Sequence, residues 1–142
     1  KFFQKIVLAR FSRTFSSLLS AGVPVIQALD ITGETSGNVV VGDALKSISK
    51  EVAAGKTISE PLEEYVVFPP LLQQMITTGE ETGALPEMLQ KVAEFYENEV
   101  DTAADALSAT IEPVMIIVLA GIIGSMVISL YLPMFKVFDL IK

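Results

Sequence analysis

Apolar side chains recur every three or four residues along most of this chain, which is the spacing of amphipathic helices and not of strands. Phe3, Val7, Phe11, Phe15 and Leu18 form the first stripe, flanked by Ile6, Thr14 and Leu19. Arg10, Ser12, Arg13, Ser16, Ser17 and Ser20 fall largely off it. The pattern predicts a helix over about residues 3–20, stopped by Ala21-Gly22, with Pro24 in the first turn of the next helix. Val40, Ala44, Leu45, Ile48 and Val52 mark a further helix, which Gly55 ends. Thr57 or Ser59 then suits the cap of a short helix through Glu64. Tyr65 to Pro70 reads as an extended connector, because residues before proline avoid the α region. Leu85, Leu89, Val92, Tyr96, Val100, Ala103 and Leu107 mark a long amphipathic helix, with a kink expected near Glu112-Pro113. No stretch alternates with a period of two, so the fold class is all-α.

Two of these segments are copies. The run from Pro24 to Gly37 and the run from Pro70 to Gly83 share six identical residues at a constant offset of 46, without a gap. Each copy starts at a proline and ends at a glycine suited to the left-handed position after a helix. Each is followed by another helical pattern, so the repeated unit is a helix hairpin.

One stretch departs from amphipathic patterning. Val114 to Leu132 holds 19 residues without a charged side chain, and 11 of them are Val, Ile or Leu. As a helix that run is about 29 Å long, close to the hydrocarbon thickness of a bilayer. A buried core helix seldom lacks a polar face over five turns. The reading is a membrane span near the C-terminus, with a water-soluble domain before it. Inside the span Gly121, Ser125 and Ser129 recur every four residues, with Gly124 beside them. Small residues on one face let another membrane helix approach closely.

Composition narrows the chemistry. The 142 residues include no Cys, His or Trp, which excludes disulfides and thiolate chemistry and removes the commonest general base and metal ligand. The first residue is Lys1 and no secretory signal pattern follows, so the chain reads as a piece of a longer protein. The net charge of −7 is unevenly spread. Residues 1–56 carry seven bases and four acids, whereas residues 80–112 carry nine acids and only Lys91. A basic face and an acidic helix can attract each other within a bundle or between subunits. Arg10 and Arg13, with Glu94, Glu97 and Glu99, are candidate docking charges, and solvated helix faces are the plainer account of each. The bases are too few, and too mixed with Ser and Thr, for nucleic-acid binding.

Catalysis finds no foothold. Gly55-Lys56-Thr57 resembles the tail of a phosphate-binding loop, but Lys50 stands where its first glycine belongs and no strand precedes it. The Glu80-Glu81 pair, with Glu34 or Asp30, is a candidate for a divalent cation or for docking. Adjacent helix residues do not face each other, however, and no third catalytic partner is evident. No catalytic, metal or cofactor-binding residue is therefore assigned.

Several of these motifs together resemble the inner-membrane platform family of bacterial type II secretion systems and type IV pili (the F-type platform proteins). The resemblance is carried by Arg10-Phe11-Ser-Arg13-Thr-Phe15, Leu18 to Pro24, Phe68-Pro69, Met75 to Leu85 and Ala93 to Val100. It continues through Ile111-Glu112-Pro113, Gly121 to Gly124 and Tyr131 to Phe135, and so covers nearly the whole chain in order. It implies an antiparallel six-helix bundle, built partly from repeated helix hairpins and followed by one C-terminal transmembrane helix. The expected divisions are a cytoplasmic bundle over residues 1–110, a span over 111–133 and a short tail over 134–142.

The resemblance further implies the second cytoplasmic domain and last span of a non-enzymatic platform in the bacterial inner membrane. Its expected partners are a cytoplasmic assembly ATPase, pilin or pseudopilin, accessory inner-membrane assembly proteins, membrane lipid and further copies of itself. Arg10, Arg13, Glu80, Glu81, Glu94 and Glu97 are then the candidate docking residues, and Gly121, Gly124, Ser125 and Ser129 the candidate helix-packing face. The competing reading is a membrane-anchored signalling or accessory subunit that binds an unrelated protein. A transporter fragment is disfavoured, because the span holds no ionisable group.

Overall fold

The computed structural model describes residues 1–142 and contains six helices and no strand. They are α1 (Phe2–Ser20), α2 (Val25–Thr35), α3 (Val39–Ala53), α4 (Ser59–Leu62), α5 (Pro70–Thr82) and α6 (Leu85–Leu140). The chain divides into two compact units, Lys1–Asp101 and Thr102–Lys142.

The first unit is a bundle around an aromatic and aliphatic core. Phe11, Phe15 and Phe68 are fully buried together with Leu8, Leu29, Leu45, Ile48, Leu62, Leu72, Ile76 and Leu89. The rings of Phe15 and Phe68 each lie 5.7 Å from that of Phe11. Burying one such side chain stabilises the fold by about 1.5–3 kcal/mol, so this trio is a large part of what holds α1 in place. Phe68 reaches the core through a turn: its N–H donates to the Tyr65 carbonyl at 3.1 Å. The expected extended connector is thus interrupted by a turn before the extended Pro69 (φ −65°, ψ 155°), because the chain must fold back to seat Phe68 against Phe11.

The buried side of α1 also differs from the expected stripe. Phe3 is 80% exposed, whereas Ser12 and Ser16 are buried. The reason lies in the neighbour. Ser16 Oγ donates to the Pro86 carbonyl at 2.8 Å, so α1 carries small side chains where the first turns of α6 come close. Ser16 meets Pro86 and Lys5 meets Glu99, which makes these two segments antiparallel.

The repeat appears as two hairpins of like design. Gly37 (φ 71°) follows α2 and Gly83 (φ 70°) follows α5, both in the left-handed region that costs other residues energy. Asn38 then caps α3 by accepting from the Val41 N–H at 3.2 Å. The second shared glycine is a packing requirement. A Cβ on Gly79 would stand 2.7 Å from the Leu85 Cα, so the start of α6 fits against α5 only where no side chain intervenes.

The second unit is the remainder of α6. The helix continues through Pro113 and Pro133 to Leu140. Pro113 supplies no N–H, so the Ala109 carbonyl lacks its usual helical donor. Apart from Ala103 and Gly124, every residue of this unit is exposed. Its most apolar 18-residue window has a mean hydropathy of 2.5 and no buried residue, so it is long and apolar enough to cross a membrane.

The two glycine roles separate by mutation. Gly79→Ala forces the α5 and α6 backbones apart and should destabilise the bundle by about 1–3 kcal/mol. Gly83→Ala meets no atom and carries only the cost of its left-handed backbone, about 1–2 kcal/mol. Urea unfolding of the two variants in detergent, followed by tyrosine fluorescence, compares them. Equal stability of Gly79→Ala and wild type would refute the close-approach account.

Candidate interaction surfaces

The six candidate docking charges fall into three settings. Arg13 and Glu97 face each other between α1 and α6: Nε reaches Oε1 at 3.0 Å and Nη2 reaches Oε2 at 2.7 Å. This two-bonded geometry is the strongest form of the carboxylate–guanidinium pair. It holds the Glu97 carboxyl below the usual carboxylate range, chiefly through the hydrogen bond from Arg13. The same pairing pushes the Arg13 guanidinium up. Lys5 makes a parallel contact, with Nζ 2.6 Å from Glu99 Oε2. Attraction between the basic first helix and the acidic last helix is therefore realised inside one bundle.

Glu80 and Arg10 belong to a second setting, at helix ends. Glu80 accepts from the backbone N–H groups of Ile58 and Ser59 and from the Ser59 hydroxyl, the last at 2.6 Å. Those N–H groups start the short helix α4, so Glu80 satisfies donors that no helical carbonyl can reach. Thr57 Oγ1 also accepts from the Glu60 N–H, at 3.4 Å. Arg10 is exposed, and its guanidinium lies over the turn after α2, 3.0 Å from where a Cβ on Gly37 would stand. A cation there complements the partial negative charge at the end of α2.

Glu81 and Glu94 make the third setting. Both are exposed; Glu94 accepts a long contact from Gln90, at 3.4 Å, and its charge also acts on Arg13. Asp30 and Glu34 are exposed on α2, and no three acidic side chains converge as a metal ion needs. Lys56, in the segment that mimics a phosphate loop, pairs with Glu51 at 2.8 Å.

In the second unit, Gly121, Ser125 and Ser129 are exposed and Gly124 is partly covered. A Cβ on either glycine would meet nothing within 4 Å. Ser125 Oγ donates to the Ile122 carbonyl and Ser129 Oγ to the Ser125 carbonyl, both at 2.8 Å. Each hydroxyl is thus satisfied by its own helix, which matters in lipid, where a lone hydroxyl is costly. The strip is small, and its serine hydroxyls demand no partner.

Sequence reasoning did not single out Gly79, Ser12 or Ser16. For Gly79 a signal existed, since the glycine recurs at Gly33 in the other copy. Gly33 is likewise buried, 3.5 Å (as Cβ) from the Gly42 carbonyl on the facing helix α3. The two serines gave no such signal, because polar residues on a helix predict an exposed face.

Comparison with known proteins adds independent information. The pattern of the type II secretion system (T2SS), protein F family matches residues 11–133. A type IV pilus assembly protein PilC of Myxococcus xanthus is 47% identical over 133 residues, covering 94% of this chain and 32% of that protein. The PilC protein of Thermus thermophilus is also 47% identical, over 135 residues, with 94% and 33% covered. A type II secretion system protein F of Aeromonas hydrophila is 29% identical over 134 residues, with 94% and 34% covered. The chain spans about a third of the length of these relatives.

Two measurements test the inward charges. Glu97→Gln should cost about 0.5–1 kcal/mol at neutral pH, since both partners are roughly two-fifths exposed. A carboxyl whose pKa is lowered by folding stabilises above its unfolded pKa, near 4.3, and stops doing so as pH falls through the lower folded value. The difference between wild type and Glu97→Gln should therefore be full above about pH 5 and vanish in stronger acid. Glu80→Ala strands the N–H groups of Ile58 and Ser59 and should cost about 1–3 kcal/mol. Unfolding midpoints measured from pH 3 to pH 7 decide both.

Proposed function

Because the chain belongs to the type II secretion system protein F family, we propose that it forms part of an inner-membrane platform on which pilus or pseudopilus subunits are assembled. The Lys1–Asp101 bundle sits in the cytoplasm and offers its surface to an assembly ATPase. The uncharged run of α6 crosses the inner membrane, where it meets lipid, pilin or pseudopilin, accessory assembly proteins or a further copy of the same protein. The bundle corresponds to the second cytoplasmic domain of the platform and the run to its last span. The role is mechanical and non-catalytic.

The observation that carries this reading is that the family match, residues 11–133, takes in the folded bundle and the apolar run together. A helix that begins in a packed apolar core and includes 19 uncharged residues is suited to pass movement from the bundle to the span. Names of relatives support the setting, since they include pilus assembly proteins and secretion system proteins.

The charges set limits on docking. Arg13, Glu97 and Glu80 are engaged within the bundle, so an ATPase would meet the charges left at the surface, such as Glu81 and Glu94. In the membrane the strip of Gly121, Gly124, Ser125 and Ser129 admits a neighbouring helix at short distance.

Replacing Gly121 and Ser125 together by leucine in the full-length protein should reduce piliation or secretion at least tenfold while the bundle stays folded. Protein level, membrane fractionation and surface pilus counts or secreted product are read together. Unchanged assembly with normal protein level would defeat the packing-strip account. Recovery of the wild-type protein in the soluble fraction would defeat the platform reading itself.

A further inference from the structure

The last turns of α6 carry a pattern that the run before them does not. Val114 to Leu132 is uncharged on every side, but beyond it Lys136 and Asp139 stand three residues apart and so share one side of the helix. Met134, Val137 and Phe138 lie elsewhere. With Pro133 they line one open hollow of about 330 Å³, whereas Lys136 borders a different one with Ser129, Leu132 and Pro133. Phe135, Val137, Phe138, Leu140 and Ile141 are all more than half exposed.

Length leaves these apolar residues badly placed for a straight helix. The hydrocarbon of a bilayer is about 30 Å thick, which a helix crosses in about 20 residues. A span that enters at Val114 therefore leaves near Met134. The headgroup layer beyond adds about 5–7 Å. Continued straight, the helix would carry Leu140 about 9 Å past the hydrocarbon edge and into water. Drawing it back to cover Phe138 and Leu140 would take Lys136 and Asp139 into hydrocarbon, which resists charge. Pro133 sits at that edge. It supplies no N–H for the Ser129 carbonyl, and prolines inside helices are where helices bend.

We propose that α6 bends at Pro133, where it leaves the hydrocarbon, and that Met134 to Ile141 lies along the membrane surface. Phe138 and its apolar neighbours rest in lipid, and Lys136 and Asp139 face water. Lipid is the occupant of this face because the face continues the uncharged run, and because Lys136 and Lys142 complement anionic headgroups. Such an anchor at a helix end helps to fix the tilt of a span. The inference rests on the reading of Val114 to Leu132 as a membrane span.

The test is single-tryptophan fluorescence on the whole chain in vesicles of phosphatidylcholine and phosphatidylglycerol, with lipids brominated at known acyl positions as quenchers. The protein has no tryptophan, so one introduced by Met134→Trp, Phe138→Trp, Asp139→Trp or Ile141→Trp reports alone. Ile123→Trp, within the uncharged run, is the reference for the span. The probes at Met134, Phe138 and Ile141 should share one shallow depth, within about 3 Å of each other. Iodide should quench the Asp139 probe at least about threefold more than the Phe138 probe. A straight continuation instead places the Ile141 probe about 10 Å further out than the Met134 probe, and that result overturns the inference. Equal iodide quenching of the Phe138 and Asp139 probes overturns it too. So does a Phe138 probe shielded from both iodide and bromine, which marks cover by protein. If the deepest bromines leave the Ile123 probe unquenched, the span reading itself has failed and the surface tail falls with it.

Discussion

Helix α6 carries two kinds of surface, and most of the structure follows from how they differ. Its first turns bury Leu85, Leu89, Val92, Ala93 and Tyr96 in the core of the Lys1–Asp101 unit, while Val114 to Leu132 offers no charge that would resist lipid. A helix with one apolar stripe needs a partner surface, and one that is apolar all round needs an apolar medium. The bundle answers the first need. Gly79 lets Leu85 approach α5, Ser16 bonds the Pro86 carbonyl, and Arg13 and Lys5 reach carboxylates further along the helix.

The charges carry a related lesson about where specificity resides. Six residues looked equally available for docking when read as a list of surface charges. Folding commits Arg13 and Glu97 to each other and Glu80 to the start of α4, and leaves Arg10 exposed over the turn after α2. The Arg13–Glu97 pair is worth little alone, because both groups remain partly in water. The common effect of these contacts is to orient helix ends and helix faces. The unit thus spends its charge on internal direction and leaves a smaller acidic set, including Glu81 and Glu94, facing outward.

The duplicated hairpins show how one design serves two neighbourhoods. The turn glycines persist in both copies because their left-handed backbone demands them, and at the helix contact Gly79 leaves no room for a Cβ, whereas one on Gly33 would meet its neighbours at 3.4 Å. The residues that differ follow the surroundings. Asp30 in the first copy is exposed, whereas its counterpart Ile76 in the second is buried in the hydrophobic core. Glu34 and Glu80 are the same residue at equivalent positions, yet only Glu80 meets helix N–H groups. Family membership is consistent with this picture, since the match runs across both hairpins.

Local rules made the all-α class, the helix starts and stops, the repeated hairpin and the uncharged run legible in the sequence. Each depends on spacing, on proline and glycine geometry or on hydropathy, all of which act within a few residues. The left-handed Gly37 and Gly83 are such cases. The turn at Tyr65–Phe68, the burial of Ser12 and Ser16, the exposure of Phe3 and the pairing of Arg13 with Glu97 were not legible in the same way. They depend on which surface arrives from far along the chain, and a helical period says which face is apolar but not what will lie against it. Sequence alone determined the elements and the medium each can tolerate. Tertiary structure decided which polar groups turn inward, because only close approach of two helices makes a serine better buried than solvated and a charge better paired than free.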